Sequence, residues 1–239
     1  MHAQWEATYP TDLDIDSDDI TIVVGETHQM LITFIPDGTA DELTFDNYDT
    51  NVINITSEGL ITGLSVGTTT ITISTTNTDI SKTVNVTVIG DLITSSILDV
   101  ETKSLARIII GEEPGVTISD FLDKLDNPRE YLEVYDQEDN LISSNDYDSI
   151  NVSTGLTVKL VIFGSTTDEA KVIVRGDIDE DGIVSVSDEA MLADHILTIS
   201  LIEDYRFYAA DIEEDDLLDV VDDSMITDYI LGIINSLNE

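Results

Sequence analysis

The chain has 239 residues, 41% of them hydrophobic, which suits one or two ordinary domains or up to three small ones and excludes wholesale disorder. Its 50 Asp and Glu against nine Lys and Arg give a formal net charge of −41, which argues against nucleic acid and anionic membranes as partners. There is no cysteine, so disulfide frameworks and thiolate sites are excluded.

The N-terminal stretch MHAQWEATYP has neither a basic segment nor an apolar one, so we expect no signal peptide in this chain. No apolar run approaches the roughly 20 residues of a membrane span, and no membrane insertion is expected. A lack of cysteine does not exclude secretion. We interpret the chain as a mature protein or a piece of a longer one.

Residues 13–90 contain short β-rich runs separated by turn residues. Polar and apolar side chains alternate in TITIS (70–74) and VNVTV (84–88), the pattern of a half-buried strand. About seven such strands, with turns every 8–12 residues, predict an all-β sandwich.

The same segment carries a family resemblance. VGETHQMLITFIPDG and NVINITSEGLITGLSVGTTTITIST resemble the bacterial Ig-like domain, group 2. This implies an Ig-like β-sandwich over 13–90, of a kind used as a spacer or adhesive module on bacterial surface proteins.

Residues 92–175 predict a small α+β domain. ARIIIG is typical of a strand, VTISDFLDKL predicts a short helix with Thr117 and Asp120 at capping-box spacing, and LTVKLVIFG with AKVIVRG predicts a hairpin. The order of these elements resembles a module that often precedes dockerins in secreted proteins of Gram-positive bacteria.

The stretch GDIDEDGIVSVSD (176–188) has the spacing of a calcium loop. Calcium takes six to eight oxygen ligands, and an EF-hand loop supplies them from positions 1, 3, 5, 7, 9 and 12, with a glycine turn at 6. Gly182 stands at position 6. The six predicted ligands are Asp177, Asp179, Asp181, the carbonyl of Ile183, Ser185 and Asp188.

A second loop repeats this pattern 34 residues later, beginning at Asp211. Asp216 replaces the turn glycine, and Glu213 is a longer ligand than position 3 normally carries. The predicted ligands are Asp211, Glu213, Asp215, the carbonyl of Leu217, Asp219 and Asp222. Calcium is therefore the predicted cofactor, as two ions, with weaker binding expected in the second loop.

Each loop precedes a run with apolar residues at helical spacing. GDIDEDGIVSVSDEAMLADHIL and AADIEEDDLLDVVDDSMITDYILG together resemble a type I dockerin. The resemblance implies an all-α, duplicated loop–helix domain over 177–238. It also implies two calcium ions, folding that depends on them, and a cohesin-type protein module as partner.

Dockerins contact their protein partner chiefly through loop positions 10 and 11 and the helix that follows. Carried over to this sequence, the partner-binding residues are Val186, Ser187, Val220, Val221, Ala193, Asp194, Thr227 and Asp228. The last four fall at positions 17 and 18, where many dockerins carry Lys or Arg, so the charge there is reversed. The alternative for the valines is a role in the core, because apolar residues at helix starts usually pack inward.

One signal of catalysis is present. Gly63, Ser65 and Gly67 match the G-x-S-x-G motif, but a strand pattern follows where a nucleophile elbow needs a helix. We therefore expect no enzyme.

The sequence predicts a multidomain, secreted or surface-attached bacterial protein that docks to a cohesin-type receptor and is monomeric when free. The alternative is a surface adhesin or stalk in which calcium only stiffens the C-terminal region.

Overall fold

The structure is a computed structural model that describes residues 9–103 and 106–238. The first eight residues, on which most of the signal-peptide expectation rests, lie outside the described residues. The chain divides into two compact units, Met1–Asp91 (unit 1) and Leu92–Glu239 (unit 2).

Unit 1 consists of short β-strands, nine of them in the described residues, where the sequence predicts about seven. They are β1 (Asp12–Ile15), β2 (Asp19–Val23), β3 (Thr27–Gln29), β4 (Ile32–Ile35), β5 (Leu43–Asp46), β6 (Ile53–Ile55), β7 (Leu60–Gly63), β8 (Gly67–Thr75) and β9 (Ser81–Ile89).

These strands form a sandwich. One sheet has the order β2-β9-β8-β5, a second has the order β3-β7-β6, and β1 pairs with β4. Alternate residues of β8 and β9 are buried, as the period-2 pattern requires. Ile71 and Val86 from the first sheet share one core cluster with Ile53 and Ile61 from the second, so the all-β character expected of 13–90 is confirmed.

Unit 2 combines five strands with four short α-helices in the described residues. Its elements are β10 (Asp99–Thr102), β11 (Arg107–Glu112), α1 (Ile118–Leu122), β12 (Leu132–Tyr135), β13 (Thr157–Ile162), β14 (Ser165–Val174), α2 (Val186–Ile196), α3 (Arg206–Ala210) and α4 (Val220–Ile230), with 3₁₀ turns at Arg129–Tyr131 and Ser144–Asp146.

The five strands form one sheet in the order β10-β11-β14-β13-β12. The predicted hairpin is β13 with β14, and β11 pairs with β14 in parallel. The Thr117 hydroxyl accepts a hydrogen bond from the Asp120 amide at 3.2 Å, so the predicted helix cap forms at the start of α1.

The expectation of a separate all-α domain at 177–238 is wrong. The described helices of this stretch are only 11, 5 and 11 residues long, and although they share a buried cluster that includes Leu192 and Ile226, they pack in the same compact unit as the sheet. Ala209 of α3 lies in one cluster with Ile108, Ile110 and Ile173 of the sheet. The Gly176 amide, two residues after β14, also donates a hydrogen bond to the Ala209 carbonyl at 2.7 Å.

Candidate metal centre

The first acidic loop brings three carboxylates together between β14 and α2. One oxygen from each of Asp177, Asp179 and Asp188 lies within 4.8 Å of the others. Asp177 and Asp188 are fully buried. These are positions 1, 3 and 12 of the predicted ligand set.

Asp188 shapes this loop through backbone hydrogen bonds. Its Oδ1 accepts from the amides of Ile178 at 2.7 Å and Asp179 at 3.0 Å, and its Oδ2 accepts from the Ser185 amide at 2.8 Å. The Ser185 hydroxyl in turn accepts a hydrogen bond from the Ser187 amide in the first turn of α2, which completes a capping box. One carboxylate thus closes the loop and starts the helix.

The second loop repeats this construction residue for residue, 34 positions later. Asp222 accepts from the amides of Ile212 at 2.8 Å and Asp219 at 3.0 Å, and Asp219 caps α4 as Ser185 caps α2. One oxygen from each of Glu213, Asp219 and Asp222 lies within 4.8 Å of the others. The clustered positions here are 3, 9 and 12, so the two loops assemble different members of the predicted ligand set.

The backbone turns at the same places in both loops. Position 4 is left-handed at Glu180 (φ 69°) and Glu214 (φ 58°), and position 6 is left-handed at Gly182 (φ 80°) and Asp216 (φ 65°). Asp216 therefore takes the turn that glycine makes in the first loop, at the steric cost of a left-handed residue with a Cβ.

The remaining predicted carboxylate ligands lie outside these clusters. The side chains of Asp181 and Asp215 accept from the amides of Ile183 and Leu217 in their own loops. Asp211 is buried and accepts from the amides of Asp215 and Asp216.

The electrostatics of the loops favour uptake of a cation. Burial raises the pKa of Asp177 to about 6, and burial likewise raises the pKa of Asp188 and Asp211. The Oδ1 atom of Asp179 is buried and has no hydrogen-bond partner in the described part of the chain. A buried carboxylate oxygen without a partner is costly unless it is paired or coordinates a metal, so the donor set fits a hard divalent cation such as calcium.

The residues predicted to contact a partner lie at the starts of α2 and α4. Val186 and Val220 are 67% and 66% exposed, Val221 is 42% exposed, and Ser187 is exposed. The valines therefore lie outside the core. The four residues at positions 17 and 18 that are also predicted to contact a partner are half-buried: Ala193, Asp194, Thr227 and Asp228.

Four further exposed apolar residues, which the sequence pattern did not identify as a surface, lie just after the two helices. Leu197 and Ile199 follow α2, and Leu231 and Ile233 follow α4; each is at least 65% exposed. Both helices end with a left-handed residue, Thr198 or Gly232. The 34-residue repeat holds here too, and comparing LTI with LGI at this offset would have identified these residues.

The G-x-S-x-G motif is part of the sandwich. Gly63 ends β7 and Gly67 begins β8, so the motif joins two strands. A Cβ on Gly63 would lie 2.9 Å from the Val23 carbonyl oxygen, and the Ser65 hydroxyl donates to the Asn51 carbonyl at 2.8 Å. Close packing accounts for the glycine, and Ser65 makes a structural hydrogen bond.

No family model and no curated protein matches the chain. Among solved structures, domains 4 and 5 of the S-layer protein SbsC align at 16% identity and a TM-score of 0.27, over 33% of this chain and 51% of that structure. Domains 5–6 of SbsC align at 15% identity and a TM-score of 0.29, over 69% of this chain and 98% of that one. Extracellular domains 3–5 of Drosophila OTK align at 13% identity and a TM-score of 0.30, over 68% and 61%.

The chain spans about half the length of the first of these structures. Identities and TM-scores this low carry no information about function. Within the described residues, no helix has the length and apolar character needed to cross a bilayer.

Proposed function

We propose that this chain is a non-catalytic, calcium-dependent docking fragment of a secreted or surface-attached bacterial protein. In this proposal, two calcium ions order the acidic loops of unit 2, and the helices that follow present a surface to a cohesin-type receptor. Unit 1 serves as an Ig-like spacer. The proposal is a dockerin-type use of the two loops, built into an α+β unit.

The observation that carries the proposal is the duplication of the loop together with its surroundings. In both loops the position-12 carboxylate accepts from the amides at positions 2 and 9, positions 4 and 6 are left-handed, and three carboxylates lie close together, although the three positions differ between the loops. Both are followed by helices with exposed apolar residues at matching positions. An acidic surface kept only for solubility requires neither buried carboxylates nor matched apolar residues.

The exposed residues support a protein as the partner. Val186 and Leu197 flank α2, and Val220 and Leu231 flank α4, so each 11-residue helix carries an apolar residue near each end, about 16 Å apart. Exposed apolar side chains at the same positions of both repeats are therefore available to a protein partner.

Capture by a panel of cohesin-type modules, in calcium and in chelator, tests the docking function. We expect capture in calcium, its loss in chelator, and its loss in the double variant Val186→Glu with Val220→Glu. The matched control is Val66→Glu, which changes an equally exposed valine in unit 1. If no module is captured although calcium binds and unit 2 is folded, the docking function is wrong and the stalk alternative is favoured.

A further inference from the structure

Arg175 connects the segment that leads into the first loop with the body of the second loop. It lies two residues before Asp177, and its side chain is buried. Its Nη1 donates to the Ile212 carbonyl at 2.9 Å, and its Nη2 pairs with the Glu214 carboxylate. Both contacts are made to the second loop, at positions 2 and 4.

The reverse connection is made by Tyr205 and Arg206, which lie just before the second loop. The Tyr205 hydroxyl donates to Glu180 Oε1 at 3.1 Å, and Arg206 Nε lies 3.8 Å from the same oxygen. Burial, together with the charge of Glu180, raises the pKa of Tyr205 to about 12, so it keeps the proton that it donates. Glu180 is position 4 of the first loop, the counterpart of Glu214.

We propose that these crossed contacts make calcium binding at the two loops positively cooperative, with Arg175, Tyr205 and Arg206 as positioning residues. The inference rests on the proposed calcium sites. Each loop is held by the segment that leads into the other loop, so ordering one loop fixes the segment that positions the other. Binding of the first ion therefore already orders part of the second site, so less conformational entropy is lost when the second ion binds.

The place of these contacts in each loop supports the proposal. Position 4 is not a calcium ligand in the EF-hand pattern, so Glu180 and Glu214 can keep their cationic partners while the ions are bound. The backbone of both glutamates is in the left-handed region, which an L-residue seldom adopts. The contact of each side chain with its cationic partner holds it in this conformation. Arg175 has little freedom to leave the second loop, because a buried guanidinium without partners is costly.

Calcium titration calorimetry on the full chain tests the proposal, using Glu180→Gln, Glu214→Gln and the double variant. The control is Glu203→Gln, which removes the same charge from an exposed residue outside both loops. We expect the wild type to bind two ions, the second more tightly than independent sites allow. Each position-4 substitution should lower this ratio of stepwise constants about fivefold or more while two ions still bind. The control should leave the ratio unchanged.

The outcomes separate the two proposals. Two ions with independent constants in the wild type, or an unchanged ratio in both variants, would overturn the crossed contacts and leave the calcium sites standing. If no calcium binds, both proposals are wrong. Glu214 is largely exposed, so Glu214→Gln remains a valid test if Glu180→Gln disturbs the fold. Unfolding in chelator provides a second measurement, because a purely structural role would lower stability without changing the ratio.

Discussion

At the residue scale, the buried carboxylates of the first loop connect pH to stability. Asp177 is fully buried, and both of its oxygens accept hydrogen bonds, from the Thr154 amide at 2.7 Å and the Gly182 amide at 3.1 Å. Burial outweighs these bonds and raises the pKa of its carboxyl to about 6. Without a cation, the folded chain therefore holds a proton more tightly at this position than the unfolded chain does.

The resulting prediction concerns the calcium-free protein. Because the folded-state pKa lies above the unfolded value of about 3.9, the folded state binds more protons between these values, and stability falls as pH rises through this range. The unfolding free energy of unit 2 in chelator should therefore increase as pH is lowered from 7 to 5. Urea unfolding at several pH values measures this. Asp177→Asn should flatten the profile, and an unchanged slope in that variant would contradict the assignment to Asp177.

Asp216 provides a second prediction at this scale. It adopts φ 65° where the first loop has glycine, a conformation that costs a residue with a Cβ roughly 1 kcal/mol. Asp216→Gly should raise the unfolding free energy of unit 2 in calcium by up to about 1 kcal/mol relative to Asp216→Asn, which removes the same charge and keeps the Cβ. Equal unfolding free energies for the two variants would show that the turn is not strained.

At the scale of the element, each loop and its helix form one hydrogen-bonded structure. Asp188 accepts three backbone amides and is also the third residue of α2, so the loop cannot change shape without disturbing the helix start. Asp222 does the same at α4. Binding of an ion in either loop would therefore affect the position of Val186 or Val220, the first residues of the two helices.

Removal of the Asp188 carboxylate tests this connection. Asp188→Ala leaves three amides without their acceptor and removes the capping box, so we expect a loss of at least about 2 kcal/mol in the unfolding free energy of unit 2. Glu189→Ala, one residue further along the same helix, is the control and should change stability by about 0.5 kcal/mol or less. Similar losses in both variants would show that the carboxylate does not hold the loop and the helix start together.

Some of these features could be predicted from the sequence and others could not, because some depend on neighbouring residues and others on residues far apart in the chain. Loop spacing is local, so the clustering of the Asp177, Asp179 and Asp188 carboxylates could be predicted from the loop alone, and the same holds for the Thr117 cap. The contacts of Thr154 and Arg175 join residues 23 and 39 positions apart, and no local pattern encodes them. The predicted all-α domain was wrong because the spacing of apolar residues does not reveal which neighbouring surface covers them.

At the scale of the whole molecule, each loop is contacted by residues of unit 2 that precede Asp177. The Thr154 amide reaches the first loop from the segment before β13, and the Asn238 side chain near the C-terminus donates to Glu113 at 2.9 Å. Residues 177–239 alone should therefore bind calcium at least tenfold more weakly than residues 92–239. Removal of residues 1–91 should leave the affinity unchanged. Calorimetry on the three proteins compares them, and equal affinity in residues 177–239 would show that the loops are independent of the sheet.

The number of calcium ions that the chain binds is the most direct test of the proposed function. Titration calorimetry at neutral pH and physiological salt should give two ions per chain. The double variant Asp177→Asn with Asp188→Asn should lose the first site, and Asp211→Asn with Asp222→Asn should lose the second. No heat of binding at millimolar calcium, or a stoichiometry that these substitutions leave unchanged, would contradict the two proposed calcium sites.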